Sequence, residues 1–541
     1  MQFTLLDLLI PTLRNCMERE LKFFNTRFAI FALAALPFHC FAGSDLEPID
    51  DSMAVVLTPT RLRQSLADVP ASVTVITAEM ISNFGIRNIP DALRLVPGMA
   101  VAQVTGNDYR VNYHGTNILV PRRMNVLIDG ISIYRAAFAQ VNWKEMPIAI
   151  DDIERIEVTR GSNSASYGAN SMLAIINIIS KHPSEVDGTT FKVGYGTNSS
   201  ASVMARHGGK IGESTTYRVS IERNQDHGFD SVFGKTPGHD STRLNKLMFR
   251  SITEIGQNES LDLQADVVQG LKEIPFADKY QSSFPNITTQ DFYLSALWRK
   301  SISPTHDVQI QAYVTQHRND QPWTTCPPTA MFLPEMFALW QANPSYAGAI
   351  LSGKKPSGGS ASDNALAKAA IVAITKLGAR AAQPTCVNAN QNYSEHRADI
   401  EAQDTFVFSD NLRMVAGVGF RKDLGDSQTY LGGNANNNTW KAFSNIEYKP
   451  VKSLNINAGG FFEKDSITGS SFSPRLAANF HVNDNNTLRF VMSKAVRMPD
   501  IQEQRANWTY MATNFSSPLN GTNQGLFFQS ARASGNLTGE K

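Results

Sequence analysis

From about Val186 to the end of the chain, apolar and polar residues alternate with a period of two. Leu261, Leu263, Ala265 and Val267 fall on one side of a strand pattern and Asp262, Gln264 and Asp266 on the other. Val308, Ile310, Ala312 and Val314 oppose Gln309, Gln311, Tyr313 and Thr315 in the same way. The stretches 216–222, 412–420, 439–448 and 473–482 repeat it, with polar turns between. Side chains of a strand point alternately to its two faces, so each stretch predicts a strand with one apolar and one polar face. A β-sandwich produces some of this alternation. A closed antiparallel barrel in a bilayer produces all of it, because closure pairs every backbone donor and acceptor while apolar side chains meet lipid and polar ones meet the lumen.

Before Val186 the pattern is mixed. Residues 72–77 (SVTVIT) predict a strand, followed by a helix starting at Thr77 with Glu79 in its first turn. Residues 89–99 (IPDALRLVPGM) predict one short helix with Asp91 near its start and Pro97-Gly98 ending it. Residues 124–134 (MNVLIDGISIY) predict a strand, an Asp129-Gly130 turn and a second strand. Residues 153–181 (IERIEVTRGSNSASYGANSMLAIINIISK) set apolar β-prone runs around a Gly, Ser and Asn turn without any catalytic arrangement. Together these pieces form a small α/β unit at 61–185, ahead of a barrel at 186–541.

Residues 320–392 interrupt the barrel pattern with Pro-rich edges and a helix-like run at 364–382, and read as a long extracellular loop. The chain begins with a different signal. Lys22 and Arg27 precede an apolar run at 28–38, and Cys40 and Ala42 stand at the minus-three and minus-one positions of a cleavage before Gly43. Residues 1–42 are therefore read as a signal peptide, with Met17 as a possible true start. The apolar run is well short of the ~20 residues of a spanning helix. Its removal leaves Cys326 and Cys386 as the mature cysteines, and in an exported protein they read as one disulfide closing the long loop.

Charge adds mainly exclusions. The 541 residues carry 50 basic and 49 acidic side chains and are 42% hydrophobic, so no electrostatic footprint for nucleic acid is present. No Cys/His cluster and no nucleophile with a matching base stand out, so neither a metal or other cofactor nor catalysis is expected.

Residues 70–81 (PASVTVITAEMI), 90–99, 126–134 and 153–168, in this order and spacing, resemble the plug domain of TonB-dependent outer-membrane receptors over about 51–183. Residues 493–504 (SKAVRMPDIQEQ) and 535–541 (GNLTGEK) resemble late-barrel patterns of the same family. The resemblance implies an all-β membrane protein: a transmembrane antiparallel β-barrel of about 22 strands with the globular α/β plug in its lumen. It implies localisation in the outer membrane, contact with its lipid, and uptake of a ligand driven by TonB and its inner-membrane energising complex.

Under that resemblance Ser52, Met53, Ala54, Val55, Val56, Leu57 and Thr58 correspond to the TonB box, within a periplasmic amino terminus at 43–60. An extended segment is suited to capture by strand addition. Its closeness to the cleavage leaves no room for an added signalling domain. Glu154, Arg155, Glu157 and Arg160 are expected to form a latch, pairing with charges on the barrel wall. Asn107, Asp108, Tyr109 and Arg110 in one apical plug loop, and Tyr134, Arg135 and Phe138 in another, are candidates for binding an anionic aromatic chelate. The family often has Arg-Gly where this chain has His114-Gly115, and Gly-Gly where it has Met172-Leu173-Ala174.

A ferric siderophore is the default cargo, with cobalamin, haem or another chelate as alternatives. The absence of His from 501–533 weighs against haem. A passive outer-membrane channel is the competing class, and a secreted β-rich hydrolase a further one. The residues after Glu185 leave room for about twelve to fourteen strands, and Lys541 falls where a further strand is expected, so the chain reads as a fragment or truncated frame.

Overall fold

The computed structural model describes residues 55–540 apart from 115–121, 198, 235, 276–277, 282–284 and 484–485. The expected leader with Cys16 and Cys40, together with Ser52, Met53, Ala54 and Gly115, lies outside the described residues.

Nine strands precede the barrel: β1 (Val55–Val56), β2 (Gln64–Ser65), β3 (Ser72–Thr77), β4 (Met99–Thr105), β5 (Asp108–Tyr113), β6 (Met124–Ile128), β7 (Ile131–Ser132), β8 (Ile153–Arg160) and β9 (Ala174–Ser180). Five of them make one sheet in the order β3-β8-β9-β6-β7, with β6 and β9 parallel. β4 and β5 form a separate hairpin. The helix after β3 is capped by the Thr77 hydroxyl, which accepts from the Met80 N–H. The helix Ile89–Leu93 is capped by Asn88 in the same manner. Asp129 and Gly130 both have positive φ, 49° and 84°, which is what a two-residue turn matching strand twist requires. Ile76, Val126, Ile156, Ile176 and Ile178 share the buried core of this unit.

The second architecture is one large antiparallel sheet. Its first strands are β10 (Gly188–Tyr195), β11 (Ala201–Ile211), β12 (Thr215–Asp226), β13 (Thr242–Gly256), β14 (Glu259–Glu273), β15 (Asn286–Ser303) and β16 (His306–Asp320). A paired β17 (Pro322–Thr325) and β18 (Val387–Asn390) lead out of and back from the long loop. The sheet resumes with β19 (Tyr393–Ser409), β20 (Leu412–Ser427), β21 (Gly433–Val451), β22 (Leu454–Asp465), β23 (Gly469–Asn483) and β24 (Asn486–Ser493). Thirteen strands are joined in chain order, with β10 and β24 at the two edges among the described residues.

Alternation assigns the two faces. Leu263, Phe292, Leu294, Ile310, Val314, Ile400 and Phe462 point outward and are exposed, whereas Asp262, Gln264, Asp291, Tyr313, Asp399 and Glu463 point inward and are buried. A continuous exposed apolar band on this scale has no place in water and marks a lipid-facing wall. A charge placed on it, such as Leu294→Arg, costs ~2–4 kcal/mol at the bilayer midplane. No helix among the described residues is long and apolar enough to cross a membrane, which has no bearing on crossing by strands.

The sheet wraps the first unit. Lys192 on β10 reaches Asp151, and Arg489 on β24 donates to the Leu66 carbonyl at 3.2 Å, so plug contacts run across the whole width of the sheet. One rim has tight turns, such as 257–258 and 410–411; the opposite rim carries the long loops. There Cys326 and Cys386 are joined in a disulfide, and the helix Ala361–Leu377 lies within the loop they close. What that loop packs on is not legible in its residues. Phe332, Leu339 and Tyr346 share a core with Tyr510, Phe515 and Phe527 of the hairpin formed by β25 (Asn507–Ala512) and β26 (Gly525–Arg532).

Candidate functional site

At the tight-turn rim the amino-terminal segment is threaded between plug and wall. Among the described residues β1 pairs only with β2, through Val55 with Ser65 and Val56 with Gln64. The next residues are held by side chains. Glu157 on β8 is fully buried, and its Oε2 accepts from the Leu57 N–H at 3.3 Å, the Thr58 N–H at 3.1 Å and the Thr58 hydroxyl at 2.5 Å. Its Oε1 accepts from Arg155 Nε at 2.9 Å. A buried carboxylate is tolerable only with such a set of donors. Asn163 and Asn177 add bonds to the Thr58 carbonyl and hydroxyl at 3.2 and 3.1 Å.

The wall supplies the other half of the grip. Arg475 on β23 donates to the Pro59 carbonyl at 3.0 Å, to Ser166 Oγ at 3.1 Å and to Asn445 Oδ1 at 3.2 Å. Arg61 forms an ion pair with Glu401 on β19 and lies over the rings of Phe443 and Tyr167, at 4.0 and 4.6 Å. Burial alone would lower the Arg61 pKa; the Glu401 carboxylate outweighs it, and the guanidinium is held above its ordinary value. Arg61 has φ 64°, a left-handed conformation costing ~1–2 kcal/mol for a residue with a Cβ, and these contacts hold it there. Farther along, Asp68 meets Lys449 at 2.9 Å and His481 at 3.1 Å.

The expected latch differs from what is found. Glu154, Arg155 and Glu157 bond one another and the amino-terminal segment, not the wall, and Arg160 has no ion-pair partner among the described residues. β8 lies inside the five-stranded sheet, between β3 and β9, and Glu154 and Arg155 face the wall only across the cavity that separates it from the plug. The plug–wall ion pairs come from other residues: Asp129 with Arg250 at 3.5 Å, Asp152 with Arg206 at 3.0 Å, and Lys144 with Asp226 at 2.6 Å. Asp129 was legible only as a turn residue.

At the long-loop rim, the apical loops are also used differently from expectation. Tyr109, Tyr134, Arg135 and Phe138 are buried, and Asn107, Asp108 and Arg110 are half-buried. Asn107 donates to the Glu273 carbonyl at 2.6 Å, and Asp108 pairs with Arg110 at 2.6 Å. Arg135 reaches Glu145 at 3.1 Å and also bonds the Tyr393 hydroxyl. Phe138 packs against Tyr393 and Tyr430 with ring centroids 4.7 and 5.1 Å apart. The Ala137 N–H donates to Glu395 Oε2 at 2.9 Å. Asn107, Arg135 and Phe138 fix the plug to the wall, while Tyr134 and Arg135 also line the cavity between plug and wall. Burial would raise the Glu145 carboxyl, but Lys272 and Arg135 outweigh it and bring its pKa down to about 2.

Of the family departures, His114 adopts φ 54° and its ring meets that of Tyr113 at 4.0 Å. Ala174 is fully buried and pairs with Arg160 in the sheet.

A cavity of about 1060 Å³ lies between plug and wall. Its lining includes Leu57 and Arg61 of the amino-terminal segment, Asp129, Arg155, Arg299, Arg421 and Glu463, and, on the long-loop side, Asp465 and Asp500. Both ends of the machinery thus share one polar, charge-lined space.

Comparison with known proteins agrees with this geometry. Residues 65–175 match the model of the TonB-dependent receptor plug domain, and residues 251–541 match that of the TonB-dependent receptor-like β-barrel. The chain is 29% identical over 203 residues to the vitamin B12 transporter BtuB of Vibrio cholerae, covering 37% of this chain and 32% of that protein. It is 26% identical over 263 residues to BtuB of Photobacterium profundum, covering 48% and 42%. The matches thus span less than half the length of these curated relatives. The ferripyoverdine receptor of Pseudomonas aeruginosa shares the fold with TM-score 0.60 at 13% identity, covering 85% of this chain and 63% of that one. The siderophore receptor PirA of Acinetobacter baumannii does so with TM-score 0.56 at 17% identity, covering 86% and 66%.

Proposed function

The chain belongs to the TonB-dependent receptors, and on that premise we propose that it serves energy-coupled uptake of a scarce ligand across the outer membrane, transporting its cargo without chemical change. The TonB box is read as Ser52–Thr58, of which Val55, Val56, Leu57 and Thr58 are among the described residues.

The observation that carries this reading is the double grip on Leu57–Arg61, by Glu157 from the plug and by Arg475 and Glu401 from the wall. A two-residue strand with one neighbour is easily transferred to the edge of another sheet. Pulling on it breaks the bonds to Glu157 one after another. Glu157 then keeps Arg155 but loses three donors, leaving a poorly satisfied buried charge beside a polar cavity. That penalty favours movement of β8, and with it the plug core, toward water. The same pull strains the Arg61 contact to Glu401 on the barrel.

The cargo we propose is a ferric siderophore; the sequence relatives, named as vitamin B12 transporters, make cobalamin the second reading. The buried apical loops support a ligand site formed with the loop cap and not by Tyr134, Arg135 and Phe138 alone. The test is accumulation of radiolabelled ferric siderophores, and separately of cobalamin, by cells carrying the chain or its Val56→Pro variant. Uptake that needs TonB and is lost in the variant supports the reading. Uptake unchanged without TonB would instead mark a passive channel.

A further inference from the structure

Residues 494–506 join β24 to β25 and include the helix Ile501–Arg505. Along this stretch three plug loops are held. The Val496 carbonyl accepts from the Asn170 N–H at 3.2 Å. Asp500 and Glu503 pair with Arg122 at 2.7 and 3.4 Å. The Gln502 N–H donates to the Ala137 carbonyl at 3.0 Å, and Ile501, 1% exposed, packs on Ala137 and Phe138.

The helix keeps its shape through its charges. Asp500 and Glu503 cap it reciprocally: the Glu503 N–H donates to Asp500 Oδ1 at 2.8 Å and the Asp500 N–H to Glu503 Oε2 at 3.1 Å. Arg497 pairs with Glu503 at 2.7 Å and with Glu540 at 2.9 Å, and Glu540 also takes Arg123 at 2.6 Å. Arg122, Arg123 and Arg497 are thus matched by Asp500, Glu503 and Glu540 in one network, which holds its members more firmly than isolated pairs would.

The other end of the stretch has no slack. Ala506 alone separates the helix from β25, and its carbonyl accepts from the Ala533 N–H, just beyond β26, at 2.8 Å. The hairpin that follows is part of the cap core, where Phe332 meets Phe515 and Phe527 with ring centroids 4.7 and 5.5 Å apart. A displacement of the cap is therefore passed to the helix. The plug loop that the helix holds is ready to move, because Ala139 has φ 41°, an unfavourable conformation for a residue with a Cβ. Ala136, Ala139, Asp500 and Ile501 all line the cavity between plug and wall.

We propose that residues 494–506 are a strap that couples the cap to the plug. While the cap is packed on β25 and β26, the strap keeps the plug loops at 122–123 and 134–140 in place. Displacement of the hairpin frees them, and loop 134–140 leaves the cavity it lines. The bearing of this on transport rests on the uptake reading, but the coupling is tested without cargo, so the two can fail separately.

The test follows amide hydrogen exchange of the full chain in detergent micelles. Phe332→Ala/Leu339→Ala loosens the cap from the long-loop side and leaves the hairpin and the strap intact in sequence. Exchange at 122–123 and 134–140 is then expected to rise about tenfold or more together with that of the cap, while exchange in β9 stays unchanged. Two glycines inserted between Ala506 and Asn507 should abolish the rise in the plug loops and leave that of the cap. Asp500→Asn keeps a capping side chain but loses the charge facing Arg122, so it should raise exchange at 134–140 about tenfold with the cap intact. That variant carries the test if the cap variant does not fold, and no rise in it would overturn the proposal. Plug loops indifferent to a loosened cap, a rise that survives the glycine insertion, or a rise shared by β9 would do the same.

Discussion

Thr58 is bound to Glu157 twice, by its backbone N–H at 3.1 Å and its hydroxyl at 2.5 Å, across 99 residues of chain. The segment proposed for TonB thus ends on a buried carboxylate in the middle of the plug sheet. Its release and the stability of that sheet are therefore one event.

Glu157→Gln removes the charge and leaves one acceptor oxygen. Hydrogen bonds to charged groups contribute about 1.5–3 kcal/mol each, so weakening them should raise the released fraction of residues 55–60 by about tenfold to a hundredfold. Spin labels or limited proteolysis at Val55 should show this without any ligand.

Arg475→Ala takes the wall's bond from Pro59, Ser166 and Asn445 together. With Asn163, which Arg475 also bonds, four buried acceptors are left short of donors, at a cost of about 1–3 kcal/mol for each one that water fails to reach. Amide exchange at Arg61 and at Tyr167 to Gly168 should accelerate, while exchange in β15, far along the wall, should not change.

The contact under the second apical loop carries its own pH dependence. Lys272 and Arg135 depress the Glu145 pKa from its ordinary value of 4.5 to about 2, so the folded state holds the charged form more strongly than the unfolded chain does. Its stabilisation, on the order of a few kcal/mol, is fully present above pH ~4.5 and is lost as pH falls toward 2. Denaturant unfolding followed between pH 5 and 2 should show that slope, and Glu145→Gln should flatten it.

Cys326 and Cys386 are 60 residues apart, and the cap they close also leans on β25 and β26. A double Ser variant should lose about 2–4 kcal/mol of cap stability and become sensitive to protease within 327–385. The grip on Thr58, at the opposite rim, should be unaffected.

Much of the architecture was legible because its cause is local. Val308, Ile310, Ala312 and Val314 alternate with polar residues whatever the rest of the chain does, and Asp129-Gly130 turns because both accept positive φ. The site was legible only in part. Alternation indicates which face Glu157 lies on, not that Thr58 will occupy it. Tyr134, Arg135 and Phe138 have the chemistry of a chelate site, but Glu395, Tyr393 and Tyr430, more than 250 residues later, supply partners that bury them. Cys326 and Cys386 suggested a closed loop, but pairing alone does not specify Phe515 and Phe527 as its floor.

The most direct test is disulfide trapping in cells between a cysteine at Val55 and one in the periplasmic domain of TonB, with and without cargo. The account predicts a cross-link that strengthens with cargo and is already strong without it in Glu157→Gln. A cross-link that never forms, or one indifferent to the loss of the Glu157 charge, would contradict it.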